Sequence, residues 1–260
     1  MNRILNFSKR NFKEILRDPL IYIFCLGFPV VMLILFQIIS NYSNGHTPMF
    51  ELTSLLPAII MFSYTFIMLT MSLLVSKDKQ TFFLKRLYSS PMKPHHFVLG
   101  YTVVGLIIGI VQTIICIFSA FLIAIITNAN FISFGNIILL TISQLPMLIT
   151  NIFLGILFGT LLSDKSAPGI SSIFISMAGI LGGCWMPIET MGGFKTFCKT
   201  LPFYPSVYLG RIITNATQIL NSPYTFDGTA IWGIVTILIY MITSIVLSCF
   251  IFKKNMVSDK

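Results

Sequence analysis

The chain has 260 residues, 55% of them hydrophobic and only 10% charged, with a mean hydropathy of +0.88; a soluble core of this size cannot hide that much apolar surface, so lipid is its solvent. The formal net charge of +9 would suit nucleic acid if the basic residues shared one folded face, but they sit in short segments between apolar runs. That pattern belongs to positive-inside topology and anionic headgroups, and no nucleic-acid partner is expected.

In chain order, Arg3 to Arg17 predicts an amphipathic helix, with Ile4, Leu5, Phe12, Ile15 and Leu16 toward one side and Lys9, Lys13 and Arg17 toward the other. With Arg10, these cations form the basic set of a helix that reads either as an anchor in the membrane interface or as an element that also moves with a larger machinery. Asp18-Pro19 breaks it, dividing the chain into an N-terminal interfacial helix, 1–18, and one all-α membrane domain, 19–260. Six apolar runs are long enough to cross about 30 Å of hydrocarbon at 1.5 Å per residue. They are Leu20 to Ser40, Ser54 to Ser76, Phe97 to Thr127, Asn136 to Leu162, Ala167 to Gly183 and Thr229 to Phe252. The first run is too long for a removable signal peptide and lacks a small-residue cleavage site. None of the six contains Asp, Glu, Lys, Arg or His.

Of the 17 Lys and Arg residues, all but Lys195, Lys199 and Arg211 lie in the N-terminal segment, the link Lys77 to His96, the link carrying Lys165, and the C-terminal tail. Short cytoplasmic loops keep the basic residues, so both termini are expected in the cytoplasm of a multi-pass plasma-membrane protein. The Lys77 to His96 island holds Lys77, Lys79, Lys85, Arg86 and Lys93 against the single acid Asp78. Within it Phe82, Phe83, Leu84 and Leu87 offer an apolar anchor, Lys85 and Arg86 offer charge, and Pro91 and Pro94 end any helix before the third span. At the least it is a topogenic charge cluster in contact with lipid.

Cys25, Cys116 and Cys249 fall in or at the end of spans, where they act as small apolar residues; Cys184 and Cys198 share one external link, where a bridge is possible in an oxidising exterior. Adjacent His95 and His96 diverge on any regular element, and no Cys-x-x-Cys occurs, so no metal site is expected. Gly105/Gly109, Gly155/Gly159 and Gly179/Gly183 are Gly-x-x-x-Gly pairs that let helix backbones approach closely, within one bundle or at a seam between two copies. Pro146 lies mid-span and is expected to kink the fourth helix. Between Cys184 and Gly228 the chain is too apolar for a solvated loop and too broken for a span. Ile188 to Cys198 and Ser206 to Leu220 read as short helices of a re-entrant or interfacial external cap, with an ordinary surface loop as the plainer alternative.

Ion-coupled carriers and intramembrane hydrolases place ionisable groups at membrane depth, and these spans hold none. The external acids and His46 are too scattered for an interfacial catalytic constellation. No Gly-x4-Gly-Lys-[Ser/Thr] occurs; Gly192-Gly193-Phe194-Lys195-Thr196 resembles only its end. The chain is therefore read as a non-enzyme that binds no cofactor, with any energy supplied by another polypeptide.

Taken in order, Arg17-Asp18-Pro19 before the first span, Phe83-Leu84-Lys85-Arg86-Leu87-Tyr88-Ser89-Ser90-Pro91-Met92, and Gly182-Gly183-Cys184-Trp185-Met186-Pro187-Ile188-Glu189 followed by Leu201-Pro202-Phe203-Tyr204-Pro205 resemble the type-2 ABC exporter permeases over essentially the whole chain. One departure is Asp78-Lys79-Gln80-Thr81, where many members carry a Glu-Arg-Gly-Thr-like run. The resemblance implies that a short cytoplasmic helix docks in a groove of a separate P-loop ATPase, with Thr81, Phe82, Phe83, Leu84, Lys85, Arg86, Leu87, Tyr88, Ser90 and Pro91 as the coupling residues. It also implies an external cap carrying Trp185, Pro187, Glu189, Pro202 and Pro205. Two permease subunits would pair and recruit two ATPases, which hold ATP and Mg. The cargo would be apolar or amphipathic, with drug, antibiotic or hydrophobic-peptide export of a bacterial multidrug-like branch favoured, and lipid-linked glycan export as the alternative. The rival class is an ATP-independent channel or scaffold subunit, for which neither pore-lining charge nor a filter loop is evident.

Overall fold

The computed structural model describes residues 2–19, 22–42, 48–81, 94–129, 131–218 and 222–258. Among the described residues the regular structure is helical, apart from one isolated bridge between Thr217 and Pro223. In chain order come α1 (Asn2–Leu16), a π-helical turn (Tyr22–Gly27) leading into α2 (Phe28–Tyr42), α3 (Leu52–Gln80), α4 (Pro94–Thr127), α5 (Phe134–Leu161), α6 (Ala167–Leu181), α7 (Gly192–Lys199), α8 (Phe203–Ile213) and α9 (Gly228–Ser258). Five segments are long and apolar enough to cross a membrane: Tyr22–Ser40, α3, α4, α5 and Gly228–Asn255. The fifth apolar run forms only the 15 residues of α6, about 22 Å at 1.5 Å per residue and short of the hydrocarbon thickness.

The centre of the bundle is α3. Its sequence is apolar on every side, and a helix without a polar face is stable only when surrounded; nearly all its residues from Leu52 to Asp78 are buried. α2, α4, α5, α6 and α8 all pack on it, and α9 closes the far side against α5. By contrast α4 leaves Ile110, Ile114, Phe118 and Phe121 exposed, and α9 leaves Ile239, Ile242, Val246 and Phe250 exposed. Such stripes are stable against acyl chains but not against water.

The glycine pairs work inside this bundle. A Cβ at Gly155 would lie 2.5 Å from the Met68 carbonyl oxygen and one at Gly159 2.7 Å from that of Ser72, so α5 touches the α3 backbone directly. Gly105 and Gly109 make the same kind of seat on α4 for Ile152 and Leu148 of α5.

Links alternate between two ends of the bundle. α1, the end of α3, the start of α4, the α5–α6 link and the end of α9 meet at one, here the basic end. At the other, α4, α6 and α8 each stop in the same way: Asn128, Gly183 and Asn215 adopt positive φ (51°, 69° and 55°). In each case the next residue donates its N–H five residues back, from Ala129 to Ala124, Cys184 to Gly179 and Ala216 to Arg211. That is the Schellman cap, which needs a residue tolerant of left-handed backbone. The helix expected over Ser206 to Leu220 therefore starts earlier, at Phe203, and ends earlier, at Ile213. Pro202 and Pro205 are compatible with a first turn, whose N–H groups have no intrahelical partner, and Asn215 supplies the stop.

Candidate functional site

At the basic end, α1 is held by a polar cluster on the last turn of α3. The Asp78 carboxylate, 1% exposed, accepts from Arg10 Nη1 at both oxygens (2.7 and 2.8 Å) and from the Tyr101 hydroxyl of α4 at 2.7 Å. Arg10 also contacts Glu14 at 2.6 Å and Asn11 Oδ1 at 2.9 Å, and Lys77 reaches Glu14 at 3.1 Å. Below this layer the Phe7 ring packs edge-on against Phe97 and Tyr101, over the space left by Gly100, and Ser8 donates to the Gly100 carbonyl. The buried stripe of α1 is thus Phe7, Ser8, Asn11 and Ile15, while Leu5 and Leu16, expected on the apolar side, are exposed. Lys79 of α3 and Asn255 of α9 both donate to the Thr160 carbonyl of α5, and Ser76 donates to Asp164. Five helices are therefore tied together around the end of α3.

Of the coupling residues expected from the sequence, Thr81 caps α3, its N–H and hydroxyl both donating to the Lys77 carbonyl. Phe82, Phe83, Leu84, Lys85, Arg86, Leu87, Tyr88, Ser90 and Pro91 lie outside the described residues. Lys9, Lys13 and Arg17 are exposed along one side of α1, whereas Arg10 turns inward to Asp78. In the sequence Asp78 stands out only as the one acid in a basic island; Tyr101, its second partner, carries no signal.

The opposite end is organised by Arg211 of α8, also 1% exposed. Its guanidinium donates to the Ser54 carbonyl of α3, the Gly183 carbonyl, the Tyr224 hydroxyl and Glu189 Oε1, the last at 3.1 Å. Tyr224 in turn donates to Glu189 at 2.6 Å. Burial pushes the Tyr224 phenol above the ordinary tyrosine range, so it stays protonated and keeps donating. Gln144 of α5 and Ser206 of α8 exchange two hydrogen bonds, at 2.7 and 2.9 Å, and Gly210 leaves room for Pro57 of α3. Of the expected cap residues, Trp185 stacks on Phe36 at 4.9 Å and meets Phe62 edge-on, over the space left by Gly179. Pro187 precedes a 3₁₀ turn, Ile188–Thr190, that presents Glu189 to Arg211. Pro202 and Pro205 shape the first turn of α8. Arg211 itself reads in sequence as an external loop charge; its isolation in an apolar stretch was the available sign of burial. Cys184 and Cys198 are free thiols, Cys184 donating to the Ala58 carbonyl.

Between the two ends the buried polar contacts among the described residues are neutral. Tyr64 and Thr113 share a 2.7 Å hydrogen bond, and Gln112 donates to the Ser63 carbonyl. The arrangement is a helical bundle with charge clusters at its two ends. None of the curated proteins compared matches the chain. The model of the ABC-2 type transporter membrane family matches residues 3–215, from α1 through the end of α8; the chain belongs to that family and is a transporter permease subunit of the kind that works with a separate ATPase.

Proposed function

We propose that the chain is the membrane half of an ATP-driven bacterial exporter of apolar or amphipathic compounds, in the drug, antibiotic or hydrophobic-peptide class. It crosses the plasma membrane six times with both termini in the cytoplasm, α1 lying in the interface as residues 1–18 and residues 19–260 forming one permease domain. A second permease subunit completes the pathway and two ATPases bind at the basic end, contributing all the ATP and Mg; this chain holds no cofactor. Thr81 to Pro91 forms the docking segment. On this topology α6 and the short α7 and α8 together make the fifth crossing and its re-entrant external cap.

The observation that supports this reading best is the tie at the end of α3. Asp78 connects the position immediately before the docking segment to α1 and α4, and Lys79 connects it to α5. A push on Thr81 would therefore reach α1 through Asp78 and Arg10, α4 through Tyr101 and α5 through Lys79 together. The test is to purify the tagged chain from its native membrane and to repeat this with Lys85→Glu and Arg86→Glu together. The expected result is a co-purifying P-loop ATPase that the double variant loses, along with efflux of an amphipathic dye. A chain that never brings down an ATPase and transports equally well with both charges reversed would be a channel or scaffold. Accumulation of lipid-linked glycan with unchanged dye efflux would move the cargo to that class.

A further inference from the structure

The basic end also contains a groove, lined in part by Arg10, Glu14 and Lys77 of the polar cluster. A cavity of about 1220 Å³ lies between α1, the turn before α2, the last turns of α3 and the start of α6. Its lining includes the exposed cations Lys9 and Lys13 of α1 and Arg17 in the turn just past its end, spaced four residues apart in sequence. Among the described residues these three have no carboxylate partner, unlike Arg10 and Lys77, which are engaged with Asp78 and Glu14. Asp18 and Asp164 also sit at the rim, the latter accepting from Ser76. Inward from the mouth the lining changes to Phe24, Leu69, Leu73 and Pro168. From Lys77 to Leu69 on α3 this is eight residues, about 12 Å along the helix. Cations at the mouth, then one headgroup's depth of mixed wall, then aromatic and aliphatic floor, is the polarity profile of a phospholipid molecule.

We propose that this groove is a binding site for one anionic phospholipid of the leaflet at the basic end, its phosphate on Lys9, Lys13 and Arg17 and an acyl chain against Phe24, Leu69 and Leu73. The phosphate neutralises cations that have no carboxylate partner among the described residues, and the acyl chain covers the apolar floor. The bilayer supplies such a ligand as solvent, which favours a resident lipid over a dilute cargo. The site depends on neither transport nor an ATPase.

The test uses the full-length chain in detergent with an equimolar mixture of phosphatidylglycerol and phosphatidylcholine, and counts retained lipids by native mass spectrometry. One phosphatidylglycerol per chain is expected, preferred about 10-fold or more over phosphatidylcholine, since each basic residue at a headgroup contributes several-fold. Lys9→Gln, Lys13→Gln and Arg17→Gln combined should abolish the preference. Ser172→Phe, which keeps every cation but fills the groove from the α6 wall, should lower retention of both lipids. Equal retention of the two lipids by the wild type overturns the proposal, as does a triple variant that keeps the preference. An unchanged Ser172→Phe would place the lipid on the open surface of α1 instead. Displacement by millimolar inorganic phosphate alone would make it a free-anion site.

Discussion

Glu189 and Arg211 show how one side chain's partner sets the cost of another. With Arg211 1% exposed and Glu189's side chain 6% exposed, neither charge can be hydrated by bulk water, so removing one strands the other. Glu189→Ala is expected to destabilise this end of the bundle by about 3–5 kcal/mol, read as a lower midpoint of thermal unfolding in detergent. Glu189→Leu with Arg211→Leu removes both charges but orphans the Ser54 and Gly183 carbonyls that Arg211 serves, so it should recover only part of that loss. Tyr224→Phe removes one donor to Glu189 and one acceptor from Arg211 and should cost about 1–3 kcal/mol. At this scale the sequence was half legible. Glu189 stood out within its Gly-Gly-Cys-Trp-Met-Pro-Ile-Glu run, but its partner is 22 residues away, and no local pattern records which loop charge will be enclosed. The same holds for Asp78, conspicuous as a lone acid, and Tyr101, indistinguishable from any aromatic residue near a membrane interface.

For whole elements the backbone decides, and glycine is the informative residue. Gly155 and Gly169 are both helical glycines, yet a Cβ at Gly155 meets the α3 main chain at 2.5 Å whereas at Gly169 nothing lies within 4 Å. Gly155→Ala must push α5 off α3 and is expected to cost about 1–3 kcal/mol. Gly169→Ala meets no obstacle in α6 and should stabilise by about 0.5–1 kcal/mol through lower backbone freedom in the unfolded chain. Thermal unfolding of the two variants under identical detergent conditions separates them by sign. Elements were also the most legible scale. The long spans follow from uninterrupted apolar runs, and their boundaries moved only by the few polar residues that a helix carries past the hydrocarbon, as in α3, which continues from Ser76 through Lys77, Asp78 and Lys79 to Gln80. The shorter helices were harder, because the ends of α6 and α8 depend on left-handed caps at Gly183 and Asn215 that tertiary contacts select.

In the molecule as a whole, the two ends are asymmetric in a way that bears on work. The Arg211 cluster locks α8 to the start of α3 with both partners enclosed, whereas at the basic end Asp78 is enclosed but the Arg10 side chain remains 37% exposed. Partial hydration makes the Arg10 contact cheaper to break and remake than the enclosed Arg211 pair. If α1 travels with the end of α3 when the ATPases close, Asp78→Asn should leave ATPase binding intact while loosening the tie, since the amide keeps a partner for Tyr101 but loses the charge that holds Arg10. Cargo moved per ATP hydrolysed in proteoliposomes is then expected to fall by about 5- to 150-fold, the range of a coupling energy of 1–3 kcal/mol. Arg10→Asp combined with Asp78→Arg should restore part of it, whereas Arg10→Gln should resemble Asp78→Asn. A drop in ATPase binding by Asp78→Asn equal to its drop in transport would instead make Asp78 part of the docking surface. Unchanged cargo per ATP in all three variants would leave the Arg10–Asp78 contact a static brace, with motion entering the bundle through Lys79 and α5 alone.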